Sequence, residues 1–253
     1  MRDNCRPSGD SLGDRMKGYE RAARLALPRR MPVIIRVDGK GFHGVTKGCE
    51  RPFDERLIDL MNTVAKEICA EAQGAVFAFV QSDEISVLLH NYKRIQSEAW
   101  FDNDLQKLVS VSAATAAGIF SLHWMKPVAF DARAFVLPEA EVCNYFIWRQ
   151  QDATRNSIQM ATRAVYSHAQ VDGKDASEMQ EMLHAKGINW NDYPIGCKRG
   201  RAVIRRPYVR VGQDEKGLPI YVDAAQWEVV DPPIFTQDRA FIERLLAVEP
   251  EDK

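Results

Sequence analysis

Three short apolar runs, each closed by a cluster of turn-forming residues, constrain this chain more than any other feature. Val33–Val37, Ala75–Val80 and Ile85–Leu89 are five or six residues long and rich in β-branched and aromatic side chains. Runs this short, bounded by polar punctuation, read as buried strands rather than helices. The first ends in the glycine-rich turn Asp38-Gly39-Lys40-Gly41. The second and third are separated only by Gln81-Ser82-Asp83-Glu84, a break short enough for a hairpin. Between the first two runs, Pro52 opens a segment in which Leu57, Leu60, Met61, Val64 and Ile68 recur every three or four residues, and Gly74 ends it. That spacing predicts an amphipathic helix. A second helix is expected over 104–122, with Leu105, Leu108, Val111, Ala114 and Ala117 on one side, and a fourth strand over 128–136.

The order is therefore β-α-β-β-α-β, the split βαβ or ferredoxin-like arrangement. It predicts an α+β fold: an antiparallel sheet with the two helices on one face. A polar, mobile start and a short helix near Leu12–Leu27 precede it. One or two helices from Pro138 to about Ala169, another over 177–186, and short strands over 201–210 and 219–230 follow as a helical and β-hairpin extension. The expected division is 1–137 for the sheet region with its N-terminal helix and 138–253 for the extension, within one compact unit. Internal repeats and low-complexity segments are not seen.

Composition narrows the function classes. An apolar fraction of 45% and a charged fraction of 27% are ordinary for a globular chain and argue against disorder. With 34 basic and 35 acidic residues, a general nucleic-acid coating role is disfavoured, so any such contact must be local. The five cysteines are odd in number and none are at CxxC spacing, which speaks against a disulfide framework or structural zinc and for a reducing, cytoplasmic setting. No secretory signal core and no apolar run approaching a membrane span are expected from the sequence.

The chemistry concentrates in the two acidic turns. Asp38 ends the first strand and Asp83 sits between the second and third, so in this topology both carboxylates can meet at one end of the sheet. Magnesium takes oxygen ligands, needs only one or two carboxylates, and keeps positions open for phosphates. Two such ions can hold the attacking and leaving oxygens of a phosphoryl transfer. Gly39 and Gly41 allow close backbone approach to a ligand, and Lys40 and Lys47 add positive charge. Taken singly, an Asp-Gly after a strand and a Ser-Asp-Glu in a hairpin are ordinary turns. Their pairing in these two elements is what points to metal-assisted chemistry. His43 alone reads as a structural or surface histidine.

The strings Ile35-Arg36-Val37-Asp38-Gly39-Lys40-Gly41-Phe42-His43 and Gln81-Ser82-Asp83-Glu84-Ile85-Ser86 resemble the tRNA-histidine guanylyltransferase family, as do Arg51-Pro52-Phe53-Asp54 and Trp148-Arg149-Gln150-Gln151-Asp152. The resemblance runs from about Gly13 to Gly200. It implies a polymerase-palm-like fold and a nucleotidyltransferase that extends RNA in the 3′-to-5′ direction. The RNA 5′ end is first activated with ATP or GTP, and is then attacked by the 3′-hydroxyl of an incoming nucleoside triphosphate. It implies two Mg2+ ions held by Asp38, the Gly39 carbonyl and Asp83, and a catalytic set of Asp38, Asp83 and a supporting Glu84. The implied nucleotide-binding residues are Asp38, Gly39, Lys40, Gly41, Phe42, His43, Asp54, Ser82 and Asp83. Partners implied are tRNA, ATP, GTP and other nucleoside triphosphates, with no membrane and a homotetrameric assembly.

The chain departs from the family at Thr154-Arg155-Asn156-Ser157-Ile158-Gln159-Met160, where the enzymes acting on histidine tRNA carry His-Ile-Asn-Asn-Leu-Tyr-Asn. The departure resembles the guanylyltransferase-like branch, which implies templated repair of tRNA 5′ ends rather than addition of a single G. Addition of that G is the alternative. The stretch from Lys198 to Arg210 holds six basic residues and no acidic one. Lys198, Arg199, Arg201, Arg205 and Arg206, with Arg155 and Asn156, form the candidate RNA surface, extended by Arg149 and Arg163, with Tyr208 available to stack on a base. The same stretch also reads as the solvated, charged edge of a hairpin. Two further readings share these features: a cyclase or ordinary palm polymerase with the same carboxylate pair, and a non-catalytic RNA binder on a ferredoxin-like scaffold.

Overall fold

A computed structural model describes residues 11–94, 96–213 and 218–248. Helix α1 (Leu12–Ala22) leads to β1 (Val33–Gly39), the single turn α2 (Phe42–Val45) and helix α3 (Glu55–Glu71). Strands β2 (Ala75–Gln81) and β3 (Glu84–Leu89), helix α4 (Leu105–Trp124) and strand β4 (Phe130–Val136) complete the first half. Then come α5 (Glu139–Val165), α6 (His168–Val171), α7 (Ala176–Ala185), α8 (Ile195–Arg199), β5 (Arg201–Gln213), β6 (Pro219–Val230) and α9 (Ala240–Glu243). The mobile start expected over the first residues and the charged end of the tail lie outside the described residues.

The strands form one antiparallel sheet in the order β4-β1-β3-β2-β5-β6. Its first four positions are the expected split βαβ arrangement. Alternation along each strand sends side chains to opposite faces. Val33, Ile35 and Val37 meet α3 and α4 through Met61, Val64, Ile68, Leu108 and Phe120. Ile34, Phe77, Phe79 and Leu88 face the other way, onto Val142, Phe146 and Ala153 of α5 and Phe235 and Ile242 of the C-terminal segment. Both helices of the βαββαβ unit thus lie on one face, and the extension covers the other.

Three expectations need correction. The helix expected to open at Pro52 opens at Glu55, because the Asp54 carboxylate caps it by accepting from the Leu57 amide at 3.2 Å. The strand expected over 201–210 runs on to Gln213, while the one expected over 219–230 has those bounds. Beyond Ile204, β5 has left β2 and pairs with β6 alone, making an arm that runs past the sheet. Finally, among the described residues the 20-residue helix α4 is, by length and composition alone, long and apolar enough for a membrane span. Its Leu108, Ser112, Ala116 and Phe120 form the row buried against the sheet.

Candidate active site

The site is built where β1 ends and β2 turns into β3. Register pairs Asp38 with Glu84 and Gln81 with Glu84, so Ser82 and Asp83 form a two-residue hairpin loop. Ser82 has φ 48°, the positive value that the first position of a type II′ turn requires. The Gly39 amide donates to the Asp83 carbonyl at 3.2 Å, tying the two turns together. A side chain at Gly39 cannot be accommodated, since its Cβ would lie 2.1 Å from the Phe42 ring. Phe42 itself is buried edge-on against Phe120 and Phe130, with ring centroids 5.2 and 5.5 Å away. It anchors the loop from beneath instead of facing a nucleotide. Lys40, Gly41 and His43 remain exposed along that loop.

Asp38 and Asp83 are both half-buried and near enough to influence each other electrostatically. Burial pushes the Asp83 carboxyl up and repulsion from Asp38 adds to it, against the pull of its own backbone amide and the Ser82 hydroxyl. A divalent cation between such groups would relieve that repulsion. The donor set, two carboxylates and a backbone carbonyl, is all oxygen and fits magnesium. Among the described residues no group of three or more His, Cys, Asp and Glu could hold a metal ion. A magnesium site that borrows its remaining ligands from phosphates and water does not need one.

Glu84 differs from its two neighbours. It points to the α5 face, where Arg149 Nη1 reaches both its oxygens at 2.9 and 3.2 Å and Arg36 Nε lies 3.6 Å away. Burial raises its carboxyl, and Arg149 and then Arg36 pull it back down. Arg149 in turn donates to Asp152 at 2.6 Å, and Asp152 accepts from Arg155. The expectation of Glu84 as a catalytic carboxylate therefore becomes a positioning one, because its oxygens are already engaged by guanidinium groups. Arg149, expected on an RNA surface, is 3% exposed and belongs to this buried network, with its guanidinium 3.8 Å from the Trp148 ring centroid. The signal available in the sequence was Arg36 on a strand otherwise wholly apolar up to Asp38, which calls for a buried counter-charge.

Asp54 is also structural. It accepts from the Glu50 amide at 3.0 Å, the Leu57 amide at 3.2 Å and Arg56 at 3.0 Å. The Arg56 hydrogen bond, with the two amides, holds its carboxyl far below the usual range despite burial. It still borders a slot beside the Ser82 turn, between α3 and α5, lined also by Phe53, Gln81, Asn156 and Arg201. Asn156 donates to Gln81 there at 3.4 Å.

The basic stretch is not one surface. Lys198 is buried and donates to the Asn191 carbonyl. Arg201 is buried too, donating to Asn62 at 2.7 Å and to the Gly196 carbonyl at 3.2 Å, and burial pulls its guanidinium down to about 10. Both leave the RNA set because their cationic ends are spent inside the protein. Arg199 is half-buried, while Arg205 and Arg206 are exposed at the root of the arm and Arg206 pairs with Glu228. Since β5 runs away from the Ser82 turn, those two lie roughly 15 Å from the carboxylate end at ~3.4 Å per residue. Arg155 and Asn156 lie at that end.

A palm-like sheet with two acidic turns meeting at one end fits a nucleotidyltransferase, and similarity to known proteins assigns the chain to that class. The family model described as tRNAHis guanylyltransferase matches residues 13–138. The tRNA(His) guanylyltransferase of Schizosaccharomyces pombe is 33% identical over 76% of this chain and 79% of its own length. A bacterial tRNA(His) guanylyltransferase-like protein solved in complex with ATP is 42% identical, covering 94% of this chain and 100% of that one, with a TM-score of 0.84. A corresponding structure in complex with GTP is 41% identical over 94% and 100%, with a TM-score of 0.81. The chain belongs to the tRNAHis guanylyltransferase family.

Proposed function

We propose that this enzyme transfers nucleotidyl units from GTP or ATP to the 5′ end of tRNA, with addition of guanylate as its principal reaction. The reading is carried by the meeting of Asp38 and Asp83 at one sheet end in a chain similar over nearly its whole length to proteins solved with ATP and with GTP. The names of the relatives favour guanylyl addition. Magnesium, held by Asp38, Asp83 and the Gly39 carbonyl, would polarise the phosphate under attack and neutralise the leaving pyrophosphate. The protein's own share is positioning. The Gly39–Asp83 hydrogen bond fixes the two turns relative to each other, and Phe42 holds the glycine loop against the core. The exposed Lys40 and His43, the Gly39–Gly41 backbone and Ser82 would bind a triphosphate. The Glu84–Arg149–Asp152–Arg155 chain fixes α5 against the sheet and leaves Arg155 and Asn156 beside the site for RNA.

A second reading, templated replacement of missing 5′ nucleotides, is favoured by the departure at Thr154–Met160. A tetrameric assembly and a cytoplasmic setting belong to the same proposal and rest on family resemblance and cysteine usage. Incubating the protein with Mg2+, ATP and labelled GTP on 5′-monophosphorylated histidine tRNA, and on tRNAs lacking one 5′ nucleotide with each template base opposite the gap, separates the two. Label on histidine tRNA whatever base lies opposite supports the first. Addition that follows the opposing base, with every nucleotide usable, supports the second. Label at no RNA 5′ end overturns both.

A further inference from the structure

A large cavity lies far from the acidic turns. It occupies 940 Å3 in the notch where β2 begins and the β5–β6 arm continues beyond it, closed on one side by the turn after α9. Following β3 from Glu84 to His90 places it roughly 20 Å from the carboxylates at ~3.4 Å per residue. Nothing in the proposed transfer reaction uses it.

Its walls carry two kinds of polar group. Lys93, Arg205 and Arg244 line it, against the carboxylate of Glu98. Among the described residues neither Arg205 nor Arg244 has a carboxylate in ion-pair range, and Arg244 is held by the face of Phe241, 5.1 Å from its ring centroid. A guanidinium over an aromatic ring keeps its N–H donors available for phosphate oxygens. Beneath them lie His90 and Asn91, 3% and 5% exposed. Asn91 Nδ2 donates to Asn103 at 3.1 Å, which leaves its Oδ1 without a partner. Neither ring nitrogen of His90 has one either; the Leu245 backbone lies beside the ring, outside hydrogen-bond geometry. A buried polar atom left unpaired is costly, so three in one floor call for a reason.

We propose that this cavity is a second nucleotide site, taking a nucleotide either free or within an RNA strand. The arginines and Lys93 would take the phosphate. The polar edge of the base would reach the acceptor of Asn91 and the donor and acceptor of His90 as the Leu245 turn yields. The volume lies in the range of small-molecule sites, ~300–1,000 Å3, and holds a nucleotide with room for a neighbouring residue.

The test uses the Asp38→Asn/Asp83→Asn chain in EDTA, in which metal-dependent binding at the other end is removed, titrated calorimetrically with AMP. A parallel arm measures binding of labelled tRNA to the otherwise unaltered chain. Circular dichroism melts check that Arg244→Glu and Lys93→Glu are folded. A free-nucleotide site predicts one AMP per chain, weakened about tenfold by each reversal, with tRNA affinity unmoved. An RNA-filled site predicts that both reversals weaken tRNA and that AMP, where it binds, competes with it. The proposal is overturned if both reversals leave AMP and tRNA binding as in the parent. Because neither arm requires nucleotidyl transfer, its failure is distinct from failure of the transfer reading.

Discussion

Replacing Arg149 by methionine isolates the charge network under the site. Arg149 and Glu84 have side-chain exposures of 4% and 9%, so solvent screens their interaction little. Removing one partner of a buried pair leaves the other charge uncompensated, at ~3–5 kcal/mol. Arg36, 3.6 Å from Glu84, remains as partial compensation and places the expected loss near the lower end, ~3 kcal/mol. For a chain of this size that is a melting temperature lower by about 6–12 °C, from ~2–4 °C per kcal/mol. The penalty also carries a pH sign. Burial raises the Glu84 carboxyl, and loss of Arg149 raises it further. The folded state then holds a proton that the unfolded chain releases, so the variant loses stability as pH rises through that window. Urea titrations at pH 5 and pH 8 are the assay: Arg149→Met should fall further below the wild type at pH 8. Glu84→Gln/Arg149→Met should recover at least half of the loss. A single variant within about 1 kcal/mol of the wild type at both pH values, or a double variant in which the losses add, would refute the reasoning.

Three further outcomes are expected. Asp54→Ala should lose ~1–2 kcal/mol as the α3 cap disappears, while Asp54→Asn keeps the amide contacts and loses less; because the native carboxyl lies below its unfolded value, wild type should lose stability on acidification below about pH 4 more steeply than Asp54→Asn, read from melts between pH 2 and 7. Gly39→Ala drives a methyl into the Phe42 ring and should cost ~1–3 kcal/mol together with transfer activity, with partial recovery in Gly39→Ala/Phe42→Leu, measured by urea titration and labelled-GTP transfer. Arg155→Gln should lower the salt slope of tRNA binding by about 1, whereas Lys198→Gln should shift the melting temperature and leave the slope unchanged.

Much of this architecture was legible because the relevant signals are local. Val33–Val37 and the paired runs about Ser82-Asp83 are short, apolar and bounded by turn residues, and the structure places strands and turns there. Only the far end of β5, residues 211–213, was missed, and for a physical reason. Beyond Ile204 its residues are largely exposed on both faces and Pro207 interrupts them, so no alternation marks where β5 continues. The inward ends of Lys198 and Arg201 were hidden for another. A basic side chain reads as exposed unless its partners are known, and these partners, the Asn191 carbonyl and Asn62, are distant in sequence or unmarked by charge. Asp54 shows a limit of motif transfer: its string matches the family, while its oxygens are engaged in starting a helix.

The central claim is that Asp38 and Asp83 act together on a metal-bound phosphate. The most direct test is the rate of labelled-GTP transfer to 5′-monophosphorylated tRNA by Asp38→Asn and Asp83→Asn across a Mg2+ titration, alongside each variant's melting curve. Each should lose about 10²–10³-fold or more at saturating Mg2+ while melting within a few degrees of the wild type. Either variant transferring within tenfold of the wild type, with an unaltered Mg2+ dependence, would contradict the account.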